Sequence, residues 1–167
     1  MVLDVWKQLK KKQFAPLYVL YGPEEFIIKE TISKIVENAL EDDEAEFNIA
    51  TFDLEETPLS FALEEAETFP FIGERKLIIL HNPVFLTAEK TKEKVEHNIE
   101  QLLSYLENPS PFSIVVFVAP YEKLDERKKI TSQVKKYAMV NVQKYQWVAI
   151  PLAIHGVVCK KDGTVVN

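Results

Sequence analysis

Three short stretches of this chain carry a continuous apolar run closed by Gly, Pro or Asn: LYVLYG at 17–22, KLIILHN at 76–82 and FSIVVFVAP at 112–120. A strand with one wet face alternates apolar and polar side chains. A run without alternation has to be covered on both faces, and at this length it is a strand rather than a helix. Three such strands demand a sheet with a layer on either side.

The intervening segments supply those layers. Residues 3–12 carry Leu3, Trp6 and Leu9 at helical spacing and stop at Ala15-Pro16. Pro23 and Glu24 suit the first turn of a helix whose apolar stripe is Ile28, Ile32, Ile35, Val36 and Ala39, ended by EDDE at 41–44. FNIATFDL, 47–54, alternates like a strand. Thr57-Pro58 opens a helix to about Glu67 with Leu59, Ala62, Leu63 and Ala66 inside. After a linker to Thr91, in which Thr87 reads as a helix cap, Val95, Ile99, Leu102, Leu103 and Leu106 mark another helix, broken at Asn108-Pro109-Ser110-Pro111. Residues 124–138 read as a basic helix and Ala138–Val142 as a last strand. Strands alternating with helices predict an α/β fold: a parallel sheet flanked by helices on both faces.

The residues from Gln143 to Asn167 show no helical period, and their pattern leaves two readings open: an extra hairpin turning at Asp162-Gly163, or a segment foreign to the domain. The expected division is therefore 1–142 as the folded domain and 143–167 as an atypical tail.

Composition narrows the function classes. The chain is 47% apolar, enough for a core that needs no disulfide or metal. One cysteine, Cys159, cannot form an internal disulfide, so a reducing compartment and the cytoplasm are expected. No apolar run approaches the roughly 20 residues that span a bilayer, so no membrane partner is expected. The net charge of −6 is uneven: every charged residue from Glu37 to Glu67 is acidic, whereas Lys123, Arg127, Lys128, Lys129, Lys135 and Lys136 crowd one later segment. That segment could touch nucleic acid, but a solvated helix face is the plainer reading, and the acidic half repels a phosphate backbone.

In α/β sheets of this kind phosphates sit between the first strand and its helix. A phosphate loop needs G-x-x-x-x-G-K-[ST]. Counted from Gly22, the required Gly, Lys and hydroxyl fall on Ile27, Ile28 and Lys29, while Pro23, Glu24 and Glu25 occupy the turn with two negative charges. No carboxylate follows the buried strands, where His81-Asn82-Pro83 and Ala119-Pro120 stand instead of magnesium ligands. A small ATPase or kinase therefore lacks three independent parts. His81, His97, His155 and Cys159 have no metal-ligand spacing. His97 reads as an exposed residue of a charged helix, and Asp125-Glu126 as a first helical turn. Cofactor, metal and catalytic residues are all expected to be absent.

One connection is unusual. Between helix and strand, Phe69, Pro70, Phe71 and Ile72 place apolar side chains where chains run over the surface. They either fold back into the core, which the pattern alone favours, or stand out as anchors for a partner's pocket.

Taken together, LYVLYGPEEFIIKE near the start, FPFIGERKLIILHNP at mid-chain and SIVVFVAP followed by basic residues resemble the delta subunit of the bacterial DNA polymerase III clamp loader, over residues 1 to about 142. The resemblance implies an AAA+/RecA-like nucleotide-binding fold with a degenerate phosphate loop. It implies a non-hydrolysing accessory subunit of a DNA-directed DNA polymerase (a nucleotidyltransferase complex) that binds the beta sliding clamp and helps to open its ring for loading onto DNA. The other implied partners are the tau/gamma and delta prime subunits and, indirectly, primed DNA. The family's hydrophobic tip corresponds to Pro70-Phe71-Ile72, with Phe69 beside it. Phe71 is the direct carry-over, because Pro70 stands where Leu is common. Family members continue into lid and collar domains, which the resemblance leads one to expect are not included in these residues. The resemblance thus implies that this stretch alone does not join the assembly stably, and that residues 143–167 reflect a shortened or altered C-terminus.

Overall fold

The computed structural model describes residues 2–89 and 94–141, together with two short strands at 158–159 and 165–166. Its centre is a five-stranded sheet in the order β2-β3-β4-β1-β5, with every neighbouring pair parallel. The strands are β1 (Leu17–Tyr21), β2 (Ile49–Asp53), β3 (Lys76–His81), β4 (Ser113–Ala119) and β5 (Ala138–Asn141). The helices are α1 (Val2–Lys10), α2 (Glu25–Ala39), the single turn α3 (Ala45–Asn48), α4 (Leu59–Glu67), α5 (Ile99–Glu107) and α6 (Lys129–Val134). This is the expected α/β architecture.

Alternation along each central strand feeds two cores. Tyr18, Leu20, Leu77, Ile79, Ile114 and Val116 pack with Trp6, Leu9, Ile28 and Ile35 of α1 and α2. Leu17, Val19, Ile78, Leu80, Val115 and Phe117 pack with α4, α5 and α6 on the opposite face. Burial of both faces explains the unbroken apolar runs. The α1–α2 layer holds one buried polar pair: Trp6 Nε1 donates to Thr31 Oγ1 at 2.9 Å, and that hydroxyl donates to the Ile27 carbonyl at 2.7 Å.

Several helix ends differ from expectation, because specific side-chain hydrogen bonds, most of them spanning two or three residues, set where each turn closes. The basic helix expected over 124–138 is confined to Lys129–Val134. Asp125 forks onto Arg127 instead, its carboxylate accepting the Arg127 backbone N–H at 3.1 Å and Nε at 2.9 Å, which closes a turn rather than a helical start. The basic side chains also diverge: Lys128 Nζ donates to the Phe85 carbonyl at 3.1 Å and Lys135 pairs with Glu126. Val95 lies before α5, whose N-cap is Asn98, accepting from the Gln101 N–H at 3.1 Å. The strand expected over 47–54 begins with the helical turn α3. Thr87 closes the 3-10 turn Val84–Leu86, its hydroxyl donating to the Val84 carbonyl at 2.8 Å, rather than capping an α-helix. The expected strand end at Val142 and most of the tail lie outside the described residues. The two tail strands pair antiparallel, Val158 with Val166 and Cys159 with Val165, as in a hairpin.

His97 is neither helical nor simply exposed. Its Nδ1 accepts the Leu59 N–H at 3.0 Å, and Nε2 donates to the Leu54 carbonyl at 2.8 Å. The ring caps the first turn of α4, where Pro58 supplies no side-chain cap, and lies 5.6 Å from the Phe85 ring. His97→Ala is expected to lower the unfolding free energy by about 2 kcal/mol. A urea titration reads this as a lower midpoint at unchanged slope.

Candidate functional site

The two ends of the sheet carry different chemistry. At the carboxyl end, where nucleotides bind in open α/β sheets, β1 runs into Gly22 (φ 127°), whose N–H reaches the Ala119 carbonyl at 3.4 Å. Pro23 is exposed and Glu24 half-buried at the α2 N-cap, making no side-chain cap. Ile27 and Ile28, at the positions of the phosphate-wrapping Gly and Lys, are 7% and 3% exposed and belong to the core. Lys29 points to solvent and forms only a 4.0 Å pair with Glu25, itself exposed. The loop has exchanged phosphate-binding groups for packing.

The neighbouring strand ends add negative charge. Asp53, missed in the sequence because it ends the edge strand β2, accepts the Glu55 N–H at 3.0 Å and Asn82 Nδ2 at 3.1 Å. Those two hydrogen bonds, the backbone one first, hold its carboxyl below the usual carboxylate range. Asn82 sits at φ 58°, a left-handed conformation that asparagine tolerates better than most residues. Burial, then the carboxylates of Glu55, Glu89 and Asp53, push the Tyr121 phenol up to about 12. An edge with this field disfavours a polyphosphate. Among the described residues no group of three His, Cys, Asp or Glu is placed to hold a metal, and no helix is long and apolar enough to cross a membrane.

The amino end of the sheet carries the aromatic connection. Thr68 closes α4, its N–H donating to the Glu65 carbonyl at 3.2 Å and its hydroxyl to the Glu64 carbonyl at 2.8 Å. Phe69 is 78% exposed, its ring 4.7 Å from that of Phe112. Phe71 is 91% exposed, whereas Pro70 and Ile72 are half-buried. The expectation that these side chains fold back into the core is corrected for both phenylalanines. The seam behind them is closed by other groups: β3 begins at buried Lys76, and Ser113 Oγ donates to the Ala66 carbonyl at 2.5 Å between sheet and α4.

The loop is fastened on every side. Asn48, buried at the end of α3, donates Nδ2 to the Ile72 carbonyl at 2.7 Å. Gly73 stands at φ 69° with the Glu44 carboxylate against its Cα, where a Cβ would meet Glu44 Cδ at 2.3 Å. The Arg75 guanidinium lies 4.8 Å from the centre of the Phe14 ring, and Lys76 Nζ meets Glu65 Oε1 at 2.5 Å. Asn48 was not singled out in the sequence, since a lone Asn in an acidic stretch carries no signal. Phe47 and Phe61, also exposed, were equally unremarked; Phe61 lies off the inner face of α4.

The family described as "DNA polymerase III, delta subunit" matches residues 18–143. DNA polymerase III subunit delta of Bacillus subtilis (strain 168) is 53% identical over 140 residues, 84% of this chain and 40% of the relative. The solved structure of the Bacillus subtilis DNA clamp loader delta protein (YqeN) is similar at a TM-score of 0.81 and 52% identity, covering 86% of this chain and 42% of that one. The chain thus spans about two fifths of the length of these relatives. A further stretch of 26 residues, 16% of the chain, is 73% identical to part of the probable M18 family aminopeptidase 1 of Clostridium acetobutylicum, a match covering 6% of that protein and too short to show a family.

Asn48→Leu keeps the volume but leaves the Ile72 carbonyl unpaired; it is expected to cost about 1–3 kcal/mol and to speed amide exchange at residues 71–74 ahead of the rest of the sheet. Tyr121 contributes stability that is fully present below the ordinary phenol value of 10.0 and lost as pH rises toward about 12, because the unfolded chain ionises first. Tyr121→Phe is expected to lose less stability than the parent between those two pH values, measured as melting temperature against pH.

Proposed function

Because the chain belongs to the DNA polymerase III delta-subunit family, we propose that it is the clamp-engaging domain of a non-hydrolysing clamp-loader subunit, which binds the sliding clamp and helps to open its ring for loading onto DNA in chromosome replication. The observation that carries this reading is Phe71, 91% exposed at the crest of a loop anchored on every flank. An exposed aromatic on a mobile loop loses entropy when it docks. One on a backbone already held loses less, so more of its burial energy appears as affinity.

Phe71 inserts into an apolar pocket of the clamp, with Phe69, Pro70 and Ile72 forming the contact around it. At about 25 cal/mol per Å² an aromatic of this size contributes several kcal/mol of gross burial. The domain comprises residues 1–142, works in the cytoplasm, and acts with tau/gamma and delta prime subunits in the assembled loader. It performs no catalysis of its own, and the filled loop at Ile27 and Ile28 supports a subunit that takes no nucleotide. The alternative, direct DNA binding by residues 124–138, loses support because Asp125 and Glu126 pair with Arg127 and Lys135 there.

Phe71→Ala is expected to weaken binding of purified sliding clamp by about 2 kcal/mol or more, roughly 30-fold in Kd, with the melting temperature unchanged. Immobilised-clamp binding of the parent and the variant checks this, and equal affinities would remove the tip from the interface.

A further inference from the structure

We infer that the groove beside the tip, lined by Lys12, Phe14, Arg75, Pro109, Ser110 and Pro111, is a second subsite that receives an acidic side chain of the same protein partner; this rests on Phe71 being the anchor. The groove opens at the amino end of the sheet and measures about 340 Å³, room for one or two side chains rather than a cofactor. Arg75 follows Phe71 by four residues on the same connection, so the two lie within roughly 14 Å of one another. A partner seated on Phe71 therefore covers the groove as well.

The charge of the lining selects the occupant. In a chain of net charge −6, the charged residues of this groove are Lys12 and Arg75, both cationic. Among the described residues no carboxylate pairs with Arg75, which makes only its stacking contact with Phe14. That contact engages the ring through the guanidinium's charge and spends none of its N–H donors, whose fork matches a carboxylate. Lys12, at φ 58°, spends one N–H on the Asn38 carbonyl at 2.5 Å and has two further donors. Pro109 and Pro111 stiffen the far wall.

A nucleic-acid backbone would also seek cations, but it would have to pass the carboxylates around the tip: Glu44 against Gly73, Glu67 at the end of α4, and Glu74 next to Arg75. A single carboxylate presented by a protein avoids that repulsion; a string of phosphates does not.

The test uses purified sliding clamp and, separately, a primed-template DNA, each titrated with the parent chain and with Arg75→Glu, Arg75→Met, Lys12→Glu and Phe71→Ala at low and moderate salt. Melting temperature and circular dichroism check that each variant folds. Arg75→Glu is expected to weaken clamp binding at least 10-fold. Arg75→Met, which still packs on Phe14, should fall between it and the parent, and both should show a shallower salt dependence. Clamp affinities of folded Arg75→Glu and Lys12→Glu equal to the parent's overturn the subsite. So does a loss confined to DNA binding, which would make the groove a nucleic-acid contact. If Phe71→Ala binds normally while Arg75→Glu does not, the anchor reading fails and the groove is a clamp contact in its own right, not a subsite beside an anchor. No clamp binding by the parent chain overturns both.

Discussion

Two-sided burial of the three central strands is the constraint on which the rest of this molecule depends. β1, β3 and β4 lie between other strands and between two helix layers, so nearly every one of their side chains is apolar. A polar group placed midway along them would need a hydrogen-bond partner that neither layer supplies. Chemistry and recognition are thereby driven to the two ends of the sheet, where strands give way to connections. At one end the connections have been filled and charged against phosphates; at the other they have been braced to hold an aromatic residue in water.

The bracing explains why a short chain segment can keep a large apolar side chain exposed. Each element of the support comes from a different part of the chain: Asn48 from α3, Glu44 from the turn before it, Phe112 from the start of β4, Glu65 from α4 and Phe14 from the stretch after α1. Those contacts hold the backbone on both sides of Phe71, whose side chain is 91% exposed. The pair of Lys76 with Glu65 is half-buried, its lysine side chain 6% exposed, and so does more to fix direction than to add stability.

Much of the fold was legible because burial on both faces writes itself into composition: LYVLYG, KLIIL and SIVVFV are strands in the structure within a residue or two of their expected bounds. The inner face of α4 was legible for the same reason. Helix ends were not, because they are decided by single side-chain contacts, some distant in sequence and some within a turn, that periodicity does not show. His97 caps a helix that begins 38 residues earlier, and Asp125 turns toward Arg127 instead of starting a helix. Of the site, the failed phosphate loop could be read by counting from Gly22. The orientation of Phe69 and Phe71 could not, since an apolar residue in a connection looks the same whether it faces core or solvent. Asn48 and Asp53 were invisible for a simpler reason: each matters only through the residue that the sheet order brings beside it.

β3 joins the two ends. It starts at Lys76, behind the tip, and finishes at His81 at the carboxyl edge of the sheet, with β2 along one side and β4 along the other. Any component of a pull on Phe71 that runs along β3 is spread over both ladders at once, in shear, because the inter-strand hydrogen bonds of a parallel pair are evenly spaced and all begin to stretch together. A hairpin tugged at its end would instead unzip one bond at a time. The tip is thus mounted on a strand paired along both sides, and strain applied there is shared between two ladders on its way to the far edge.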